Sequence, residues 1–316
     1  GTAAPPSAVP RGGECIPKKI AGLEGSRTRL RVQAISSLKS IHDLTDLLTA
    51  AGVARSTYYY HAAKLDQPDK HAELKAEIAV LFTKNKKRYG YRRIRLALCR
   101  QGRRVSKKLV LALMRQLGFK SKVRIRRTYH SYQDHVSRIA PNVLARDFTA
   151  QAPGQKLVSD VTEFRVANRK LYLSPILDLY DHTVVAHTMS TSPSTALTSE
   201  SLKLALATCQ PGPGVIVHTD QGFQYQHSSW RKLIEENKAV QSMSRKGNCY
   251  DNSVMENFLG HLKAEMYHGE HFNSVEELTT EIDTYIDWYN TERIQERLGG
   301  MTPMQYRSHA PQTSTA

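Results

Sequence analysis

The pattern that most constrains the fold is a series of apolar runs beginning at Gln155. Three runs rich in β-branched and aromatic residues follow one another with short turns between them: KLVSDVTEFRV, KLYLSPILDLYD and TVVAHTMS. Such runs predict an antiparallel meander. The helix STALTSESLKLALATC, the strand GVIVHTD, the helix SSWRKLIEENK and the short strand VQSMS come next. We therefore predict an α/β domain with a mixed five-stranded sheet and helices on both faces.

Positive charge is in large excess and is concentrated in one part of the chain. The 316 residues include 45 Lys plus Arg against 29 Asp plus Glu, which gives a formal net charge of +16. The window from Lys84 to Arg127 contains 18 of those 45 cations and no acid. An inert solvated surface normally mixes charges of both signs, so this segregation favours a polyanionic partner, most simply nucleic acid.

Cysteine usage and hydropathy limit the class of protein. Cys15, Cys99, Cys209 and Cys249 are far apart and form no C-x-x-C pair, which argues against a disulfide framework or a zinc site. No apolar run approaches about 18 residues and no signal segment is present, so we expect a cytoplasmic protein. The chain begins at Gly1 without methionine, which is compatible with a fragment, a processed chain or part of a fusion.

Two segments ahead of the sheet have the spacing of helix-turn-helix units. The first, LTDLLTAAGVARSTYYYHAA, turns at Gly52 and would place Arg55 and Tyr59 against a DNA groove. The second, YGYRRIRLALCRQG followed by VSKKLVLALMRQLGF, lies in the acid-free window. Its candidate DNA-contacting cations are Arg92, Arg93, Lys107 and Lys108. Helix–glycine–helix patterns also occur in proteins that bind no DNA, so both possibilities stay open.

The stretch GVIVHTDQGFQYQH, residues 214–227, ends a strand on the carboxylate of Asp220, two residues before Gly222. One explanation is an ordinary Asp-x-Gly turn, and the other is that Asp220 is held at the rim of the sheet to bind a cation. Asp160, in the first predicted strand, lies beside it if the first and fourth strands are neighbours. Two carboxylates at ~4 Å repel by about 4 kcal/mol at an effective dielectric of about 20. Such a pair must share a proton or hold a cation, and magnesium suits oxygen-only ligands.

A late helix, NSVMENFLGHLKAEMY, offers a third carboxylate. Glu256 lies at the edge of its apolar face, and Lys263 follows seven positions later, within about 20° on the helical wheel. Gly260 lies between them. Because a mid-helix glycine costs about 1 kcal/mol relative to alanine, its presence favours a functional role for this side of the helix. This side of the helix would suit a metal ion bound at Glu256 and a phosphate backbone lying along Gly260 and Lys263. An ordinary amphipathic helix with solvated Glu and Lys side chains would show the same pattern.

Several motifs resemble bacterial insertion-sequence transposases of the second-reading-frame type, which have a retroviral-integrase-like core. The motifs are SDVTEF, HTDQGFQY, SRKGNCYDNSVMENFLGHLKAE, RYGYRRI and YIDWYNTERIQERLGGMTPMQYR, and they extend the likeness over residues 41–307. The family signature is Asp, Asp, thirty-five residues and Glu, with Lys or Arg seven positions beyond. Here 35 residues separate Asp220 from Glu256, and Lys263 follows seven positions later. Gln295, where many relatives carry His, is a departure outside the carboxylate triad.

The resemblance implies a ribonuclease-H-like fold and a transposase that cuts DNA at element ends and transfers strands by in-line phosphodiester displacement. Asp160, Asp220 and Glu256 would be catalytic and would bind two Mg²⁺ or Mn²⁺ ions, and Lys263 would contact DNA. The implied partners are double-stranded DNA, further copies of the chain on that DNA, and an upstream-frame protein or fusion. A nuclease of the same fold that joins no ends and a non-catalytic DNA-binding regulator stay open as alternatives.

Residues near the predicted catalytic helix have simpler candidate roles. Arg245 and Lys246, in the loop before the helix, could steer DNA or belong to a flexible flap. Asp251 and Asn252 are predicted to form the N-cap of the helix. His218 is predicted to be a hydrogen-bonded residue at a strand end rather than a ligand.

The domain layout predicted from these patterns has six parts in a bacterial, nucleoid-associated protein. They are a mobile segment (1–40), a helix-turn-helix (41–66), a basic helical DNA-binding region (67–130), a linker (131–150), an integrase-like catalytic domain (151–307) and a tail (308–316).

Overall fold

The structure, a computed structural model, describes residues 28–65, 69–122, 139–245 and 248–310. The chain divides into two units between Leu74 and Lys75. Within the described ranges, no helix is both long enough and apolar enough to span a membrane.

The described residues of the first unit include the helices α1 (Thr28–Leu38), α2 (Leu44–Ala51) and α3 (Arg55–Leu65). Helix α2 begins where the Asp43 carboxylate accepts the N–H of Thr45 at 2.7 Å, and it ends at Gly52, whose φ of 60° favours glycine. Val32 and Ile35 of α1 are fully buried in the core formed with the other two helices. The prediction of a mobile segment over 1–40 is therefore corrected for α1, whose apolar side chains have a core to pack against.

The second unit opens with three helices, α4 (Ala72–Lys84), α5 (Tyr91–Arg100) and α6 (Lys107–Gln116). Helix α6 begins at Ser106, whose hydroxyl accepts the N–H of Leu109 at 3.1 Å. The apolar residues of these helices face inward, and Ile78, Ile94 and Val110 are fully buried. Two short helices joined by a glycine-containing turn thus form within the acid-free window, as the sequence predicts.

The strands of the second unit form one mixed sheet. They are β1 (Lys156–Ser159), β2 (Thr162–Val166), β3 (Arg169–Asp178), β4 (Val184–Ser190), β5 (Ile216–Thr219) and β6 (Val240–Met243). The order is β2-β3-β1-β5-β6, with β4 also paired to β3. Strand β3 is antiparallel to β1, β2 and β4, whereas β5 runs parallel to both β1 and β6.

The five predicted strands become six because the first run is interrupted at Asp160. The N–H of Val161 donates to the carboxylate of Asp160 at 2.7 Å. Asp160 and Val161 lie outside both strands, after the end of β1 and before the start of β2. The long strand β3 pairs with both halves, since Ser159 is opposite Ile176 in one ladder and Thr162 is opposite Leu173 in the other. The interruption therefore places Asp160 at the carboxyl end of β1, while β3 continues to pair with β2 beyond it.

Helices cover both faces of the sheet, which confirms the predicted layering. The first face packs on α7 (Thr195–Cys209), α8 (Phe223–Gln226) and α9 (Ser228–Glu236), and the second on α10 (Ser253–Leu262) and α11 (Val275–Thr291). Neighbouring residues of β1 point to opposite faces, so Leu157 joins the first core and Val158 the second. Shorter pieces complete the unit: a 3₁₀ turn at Cys249–Asn252, a π-helical turn at Lys263–Tyr267, a 3₁₀ turn at Glu296–Leu298 and α12 (Pro303–Ser308).

Candidate active site

Asp160 and Asp220 are brought together at the carboxyl ends of two adjacent strands. Asp160 follows β1 and Asp220 follows β5. These strands are parallel neighbours, with Leu157 opposite Val217. Because the carboxyl ends of parallel strands meet at the same edge of a sheet, the predicted adjacency of the first and fourth strands is confirmed.

The pKa of Asp160 is influenced by the charges of Asp220, Glu256 and Lys263. Burial raises the pKa of the Asp160 carboxyl well above its usual range, and the charges of Asp220 and Glu256 raise it further. The backbone N–H of Val161 and the ammonium group of Lys263 act in the opposite direction. Asp160 and Asp220 therefore follow neighbouring parallel strands, and the charges of Glu256 and Lys263 act on the Asp160 carboxyl.

A side chain at the glycine two residues after Asp220 would crowd the Asp220 carboxylate. Asp220 Oδ1 accepts the N–H of Gly222 at 2.9 Å, so the Asp-x-Gly turn does form. A Cβ atom on Gly222 would lie 2.7 Å from Gln224 Oε1 and 3.0 Å from Asp220 Oδ1. The φ of Gly222 is −57°, an ordinary value, so the constraint is the close approach of these side chains. The turn predicted by the first explanation is therefore present, and it positions the Asp220 carboxylate at the end of β5.

Asp220 itself is open to solvent on one side. Its side chain is exposed, yet the protein packed around the carboxyl raises its pKa, while the hydrogen bond from Gly222 lowers it. An exposed carboxylate that is also partly desolvated can bind a ligand from solution without a large rearrangement of the chain.

Asn252 connects the end of β1 to the start of α10. Its Nδ2 donates to the carbonyl oxygen of Ser159 at 3.2 Å, next to Asp160. Its Oδ1 is buried and has no hydrogen-bond partner among the residues that the structure describes. Asn252 occupies the N-cap position of α10, as predicted, but its side chain makes no capping hydrogen bond to the helix. The hydrogen bond to β1 occupies the amide instead, and it relates Asp160 to the helix that carries Glu256.

Asp251 also departs from the predicted cap, because arginines surround it. It is fully buried, and its carboxylate accepts hydrogen bonds from the Nε of Arg245 at 2.9 Å and from the Nε of Arg146 at 2.7 Å. The guanidinium of Arg245, followed by that of Arg146, holds the pKa of Asp251 well below its usual range. Arg245, predicted to contact DNA, is therefore anchored through part of its guanidinium, while Lys246 lies outside the described residues.

Lys263 and Glu265 belong to the π-helical turn that continues α10. The Lys263 ammonium lies 5.2 Å from the centre of the Phe164 ring. Glu265 is buried, and its carboxylate accepts the Nη2 of Arg293 at 2.7 Å and the hydroxyl of Tyr285 at 2.8 Å. The local widening of the helix thus carries a cation near the carboxylates and, two residues later, a buried ion pair.

His218 has the ordinary role predicted for it. It is fully buried, and its Nδ1 and Nε2 lie 2.8 Å and 3.0 Å from the hydroxyl oxygens of Ser242 and Ser244. Burial lowers the pKa of the imidazole to about 4. His218 is therefore neutral at physiological pH and links the ends of β5 and β6.

Many cations of the acid-free window are paired with acids from the carboxyl-terminal part of the second unit. These ion pairs are Lys84–Glu292 (3.3 Å), Lys86–Glu281 (3.6 Å), Lys107–Glu296 (3.1 Å) and Lys122–Glu270 (2.6 Å). Part of the positive charge that we assigned to DNA contact is therefore paired with acids in largely exposed ion pairs, because acids distant in sequence meet the window in space.

The predicted DNA-contacting cations accordingly separate into two groups. Arg93 turns inward, donates to the carbonyl oxygen of Ile294 at 3.1 Å and lies 3.7 Å from the carboxylate of Glu265. Its side chain is only 25% exposed, which corrects its predicted place on the DNA-facing surface. Arg92, Lys107 and Lys108 are accessible, as are Arg55 and Tyr59 at the start of α3.

The donor set at the carboxylates is chemically suited to a hard divalent cation. Its side chains offer only oxygen, and their mutual repulsion raises the pKa of Asp160, so a cation between them would relieve an existing cost. The orphaned Oδ1 of Asn252 also fits a site that is completed by metal-bound water. Within the described ranges, however, no three His, Cys, Asp or Glu side chains are close enough together to hold one ion as they stand.

Comparisons with known proteins agree with this architecture. Two family models described as Integrase core domain match residues 150–249 and 256–310, and an HTH-like domain model matches residues 69–127. The candidate transposase InsK for insertion sequence element IS150 of Escherichia coli (strain K12) is 41% identical over 277 residues, 88% of this chain and 98% of that protein. Transposase InsF for insertion sequence IS3A of the same organism is 35% identical over 232 residues, 73% of this chain and 81% of that protein.

A more distant likeness is found among solved structures. The catalytic core domain of HTLV-2 integrase, solved in complex with magnesium in a trimeric form, has a TM-score of 0.40 and 14% sequence identity. The match covers 49% of this chain and 97% of that one.

The fold and the matched models define an integrase-core protein with a ribonuclease-H-like sheet and an HTH-like segment before it. Within that class, the identities over most of the chain are decisive. The chain belongs to the family of insertion-sequence transposases of the IS150 and IS3 type.

Proposed function

We propose that this chain is a DNA transposase that cleaves the ends of its element and joins them to target DNA, with Asp160, Asp220 and Glu256 as its catalytic residues. The single observation that carries the proposal is that Asp160 and Asp220 follow the adjacent parallel strands β1 and β5, with the charge of Glu256 acting on Asp160. A cluster of acids facing a polyanion opposes binding unless cations intervene, so the arrangement favours metal-dependent phosphodiester chemistry.

The carboxylates would hold Mg²⁺ or Mn²⁺, with Asp160 and Asp220 as the central ligands and Glu256 completing the set. The bound metal would lower the pKa of the attacking hydroxyl and neutralise charge on the leaving oxygen. The chain itself contributes rigidity. Gly222 fixes the rotamer of Asp220 through its N–H, and Asn252 ties the helix of Glu256 to β1. Lys263, beside the same centre, would contact a phosphate of the bound strand.

Double-stranded DNA is the substrate that we propose, both as element end and as target. The net charge of +16 and the HTH-like segment support this choice. Action as an oligomer on DNA, and cooperation with an upstream-frame protein, are further proposals that the resemblance to the family suggests.

The test is the Glu256→Gln variant, assayed on a plasmid that carries the element ends, with Mg²⁺ present. We expect cleavage and strand transfer to be abolished while DNA binding, measured by electrophoretic mobility shift, is kept. Glu236→Gln is the matched control, because Glu236 is an exposed acid on α9 that pairs only at 3.7 Å with Lys232. Retained cleavage in Glu256→Gln would refute the assignment, and cleavage without joined product from wild-type protein would identify a nuclease instead.

A further inference from the structure

A second polar cluster lies next to the carboxylates, at the start of α10. Asp251, which is fully buried, accepts both Nε and Nη2 of Arg245 at 2.9 Å in a two-point contact. Arg146, from the segment predicted to be a linker, donates its Nε to the same carboxylate at 2.7 Å. We call Arg146 and Arg245 the arginine pair. The buried carboxylate between them allows the two guanidinium groups to lie side by side, where they would otherwise repel.

The arginine pair is placed at the same sheet edge as the carboxylates. The N–H of Ser244 donates to the carbonyl oxygen of Thr219 at 2.9 Å, so Arg245 follows directly after the residue that pairs beside Asp220. On the other side, Asp251 precedes Asn252, whose amide is bonded to the end of β1. The sequence neighbours of Arg245 and Asp251 are thus bonded to the ends of β5 and β1, the two strands that lead to the carboxylates.

Both guanidinium groups keep surface available for a ligand. The side chain of Arg146 is 44% exposed and that of Arg245 is 60% exposed. In the described part of the chain, hydrogen bonds are formed by the Nε of Arg146 and by the Nε and Nη2 of Arg245, which leaves the remaining terminal nitrogens to solvent. Two cations on one anion also leave a local net charge of +1, which is attractive to phosphate.

An exposed aromatic ring adjoins the arginine pair. Tyr250 is 63% exposed, and the guanidinium carbon of Arg146 lies 5.6 Å from the centre of its ring. A large exposed ring fixed beside oriented cations is the combination that binds nucleic acid strands through stacking and phosphate contacts together, with about 1–3 kcal/mol for each stacked base.

We propose that the arginine pair and Tyr250 hold the DNA strand next to the carboxylates, with the guanidinium groups on phosphate oxygens and the ring of Tyr250 against a base. Asp251 is then a positioning residue, because it orients both arginines and does not touch DNA. The inference rests on the proposed function, which supplies DNA as the ligand at this edge. It extends the DNA-contacting surface to Arg146 and Tyr250, with Asp251 as the residue that positions the arginine pair.

The first test measures binding in metal-free buffer, using a mixed-sequence duplex with an unpaired 3′ end that carries 2-aminopurine. Arg146→Gln should weaken binding about fivefold at about 0.15 M salt and reduce the salt slope by about one, as expected for the loss of one phosphate contact. Arg146→Lys should restore the slope. Lys232→Ala is the control, because Lys232 is an exposed cation on α9, with its side chain 76% exposed.

The second test uses Asp251→Asn, for which two explanations predict opposite changes in DNA affinity. If only net charge mattered, removal of an acid would tighten DNA binding. If Asp251 positions the arginine pair, binding weakens although the protein has become more positive. Thermal unfolding of each variant shows whether it is folded at the assay temperature. If Asp251→Asn does not fold, Arg146→Gln carries the test alone.

The third test concerns the ring. Tyr250→Phe should keep the change in 2-aminopurine fluorescence that accompanies stacking, and Tyr250→Ala should lose it. Unchanged affinity and slope in Arg146→Gln, tighter binding by Asp251→Asn, or an unaltered fluorescence change in Tyr250→Ala would overturn the inference. No metal is present and no bond is cut, so this outcome is separate from the result of Glu256→Gln, which tests the proposed function.

Discussion

Two carboxylate centres in the second unit have opposite electrostatics. At Asp160, burial raises the pKa and the neighbouring Asp220 raises it further. At Glu265, burial also raises the pKa, but the charge and hydrogen bonds of Arg293, followed by the charge of Arg93, outweigh it and leave the pKa lowered. The first carboxyl resists ionisation in the protein alone, and the second is held ionised by it.

The difference separates a site that acts from a site that holds the fold. Glu265 has its counter-charges within the chain, and it joins the π-helical turn to Arg293 near the end of the unit. Asp160 has other acids as close neighbours, with Lys263 as the weakest of the influences resolved on it. Because the neighbouring acids raise the pKa of Asp160, we expect a divalent cation, which oxygen ligands favour, to relieve their repulsion.

The largest effect is expected from Glu265→Ala, which should lower the free energy of unfolding by about 3–5 kcal/mol, because it leaves the buried guanidinium of Arg293 without its partner. Urea denaturation measures this loss. Glu270→Ala is the control, since Glu270 is exposed and its ion pair with Lys122 should contribute less than about 1 kcal/mol. Equal, small losses in both variants would remove the distinction between the two centres.

The same centre has a pH dependence with a definite sign. The pKa of Glu265 is lowered from an ordinary value of 4.5, so its stabilisation is fully present above that pH and is lost as the pH falls through the lowered folded value. The difference in stability between wild type and Glu265→Gln should therefore shrink on acidification below about 4.5. A difference that grows with acidification would contradict the assignment.

The next effect concerns the other centre and should appear in activity. Gly222→Ala should slow cleavage about a hundredfold, because the new Cβ would displace Gln224 or the carboxylate of Asp220 from its position. Gly212→Ala is the control, since a Cβ there meets nothing within 4 Å. Single-turnover cleavage rates decide the matter, and a normal rate in Gly222→Ala would mean that the position of Asp220 tolerates the shift.

A smaller effect should separate two adjacent arginines. Arg93→Ala should cost about 1–3 kcal/mol of stability, because its guanidinium serves a backbone carbonyl and Glu265 inside the fold. Arg92→Ala, with an exposed side chain, should change stability by less than about 0.5 kcal/mol and instead reduce DNA affinity. If Arg93→Ala is as stable as wild type and binds DNA more weakly, the DNA contact predicted for Arg93 is restored.

The smallest effect, and the one with the least usual sign, is expected from Asp160→Asn. In metal-free buffer at neutral pH it should raise the free energy of unfolding by on the order of 1 kcal/mol, since a neutral amide escapes the repulsion of Asp220. Asp147→Asn is the control with the opposite sign, because Asp147 pairs with Lys156 at 2.7 Å. Denaturation in EDTA tests both variants, and a destabilised Asp160→Asn would show that its charge is already balanced within the protein.

The layering of the fold and the place of Asp160 and Asp220 at strand ends were predictable from the sequence, because both depend on local patterns. Alternating apolar runs with short turns determine strands wherever one face is buried, and a strand ending on Asp220 places that carboxylate at a sheet edge. The helix of Glu256 follows from its apolar periodicity. The resemblance to a family then related the three acids through their spacing.

Tertiary structure decided which charges are neutralised, because pairing in space does not follow distance along the chain. Lys107 meets Glu296 across 188 intervening residues, and Arg146 meets Asp251 from a segment that reads as a linker. Composition along the chain could not show that Arg93 turns inward or that Asp251 serves arginines rather than a helix end. The sequence by itself determined where the acids of the active centre are placed, since strand and helix periodicity are local, and only the packed fold decided which cations are left to meet DNA.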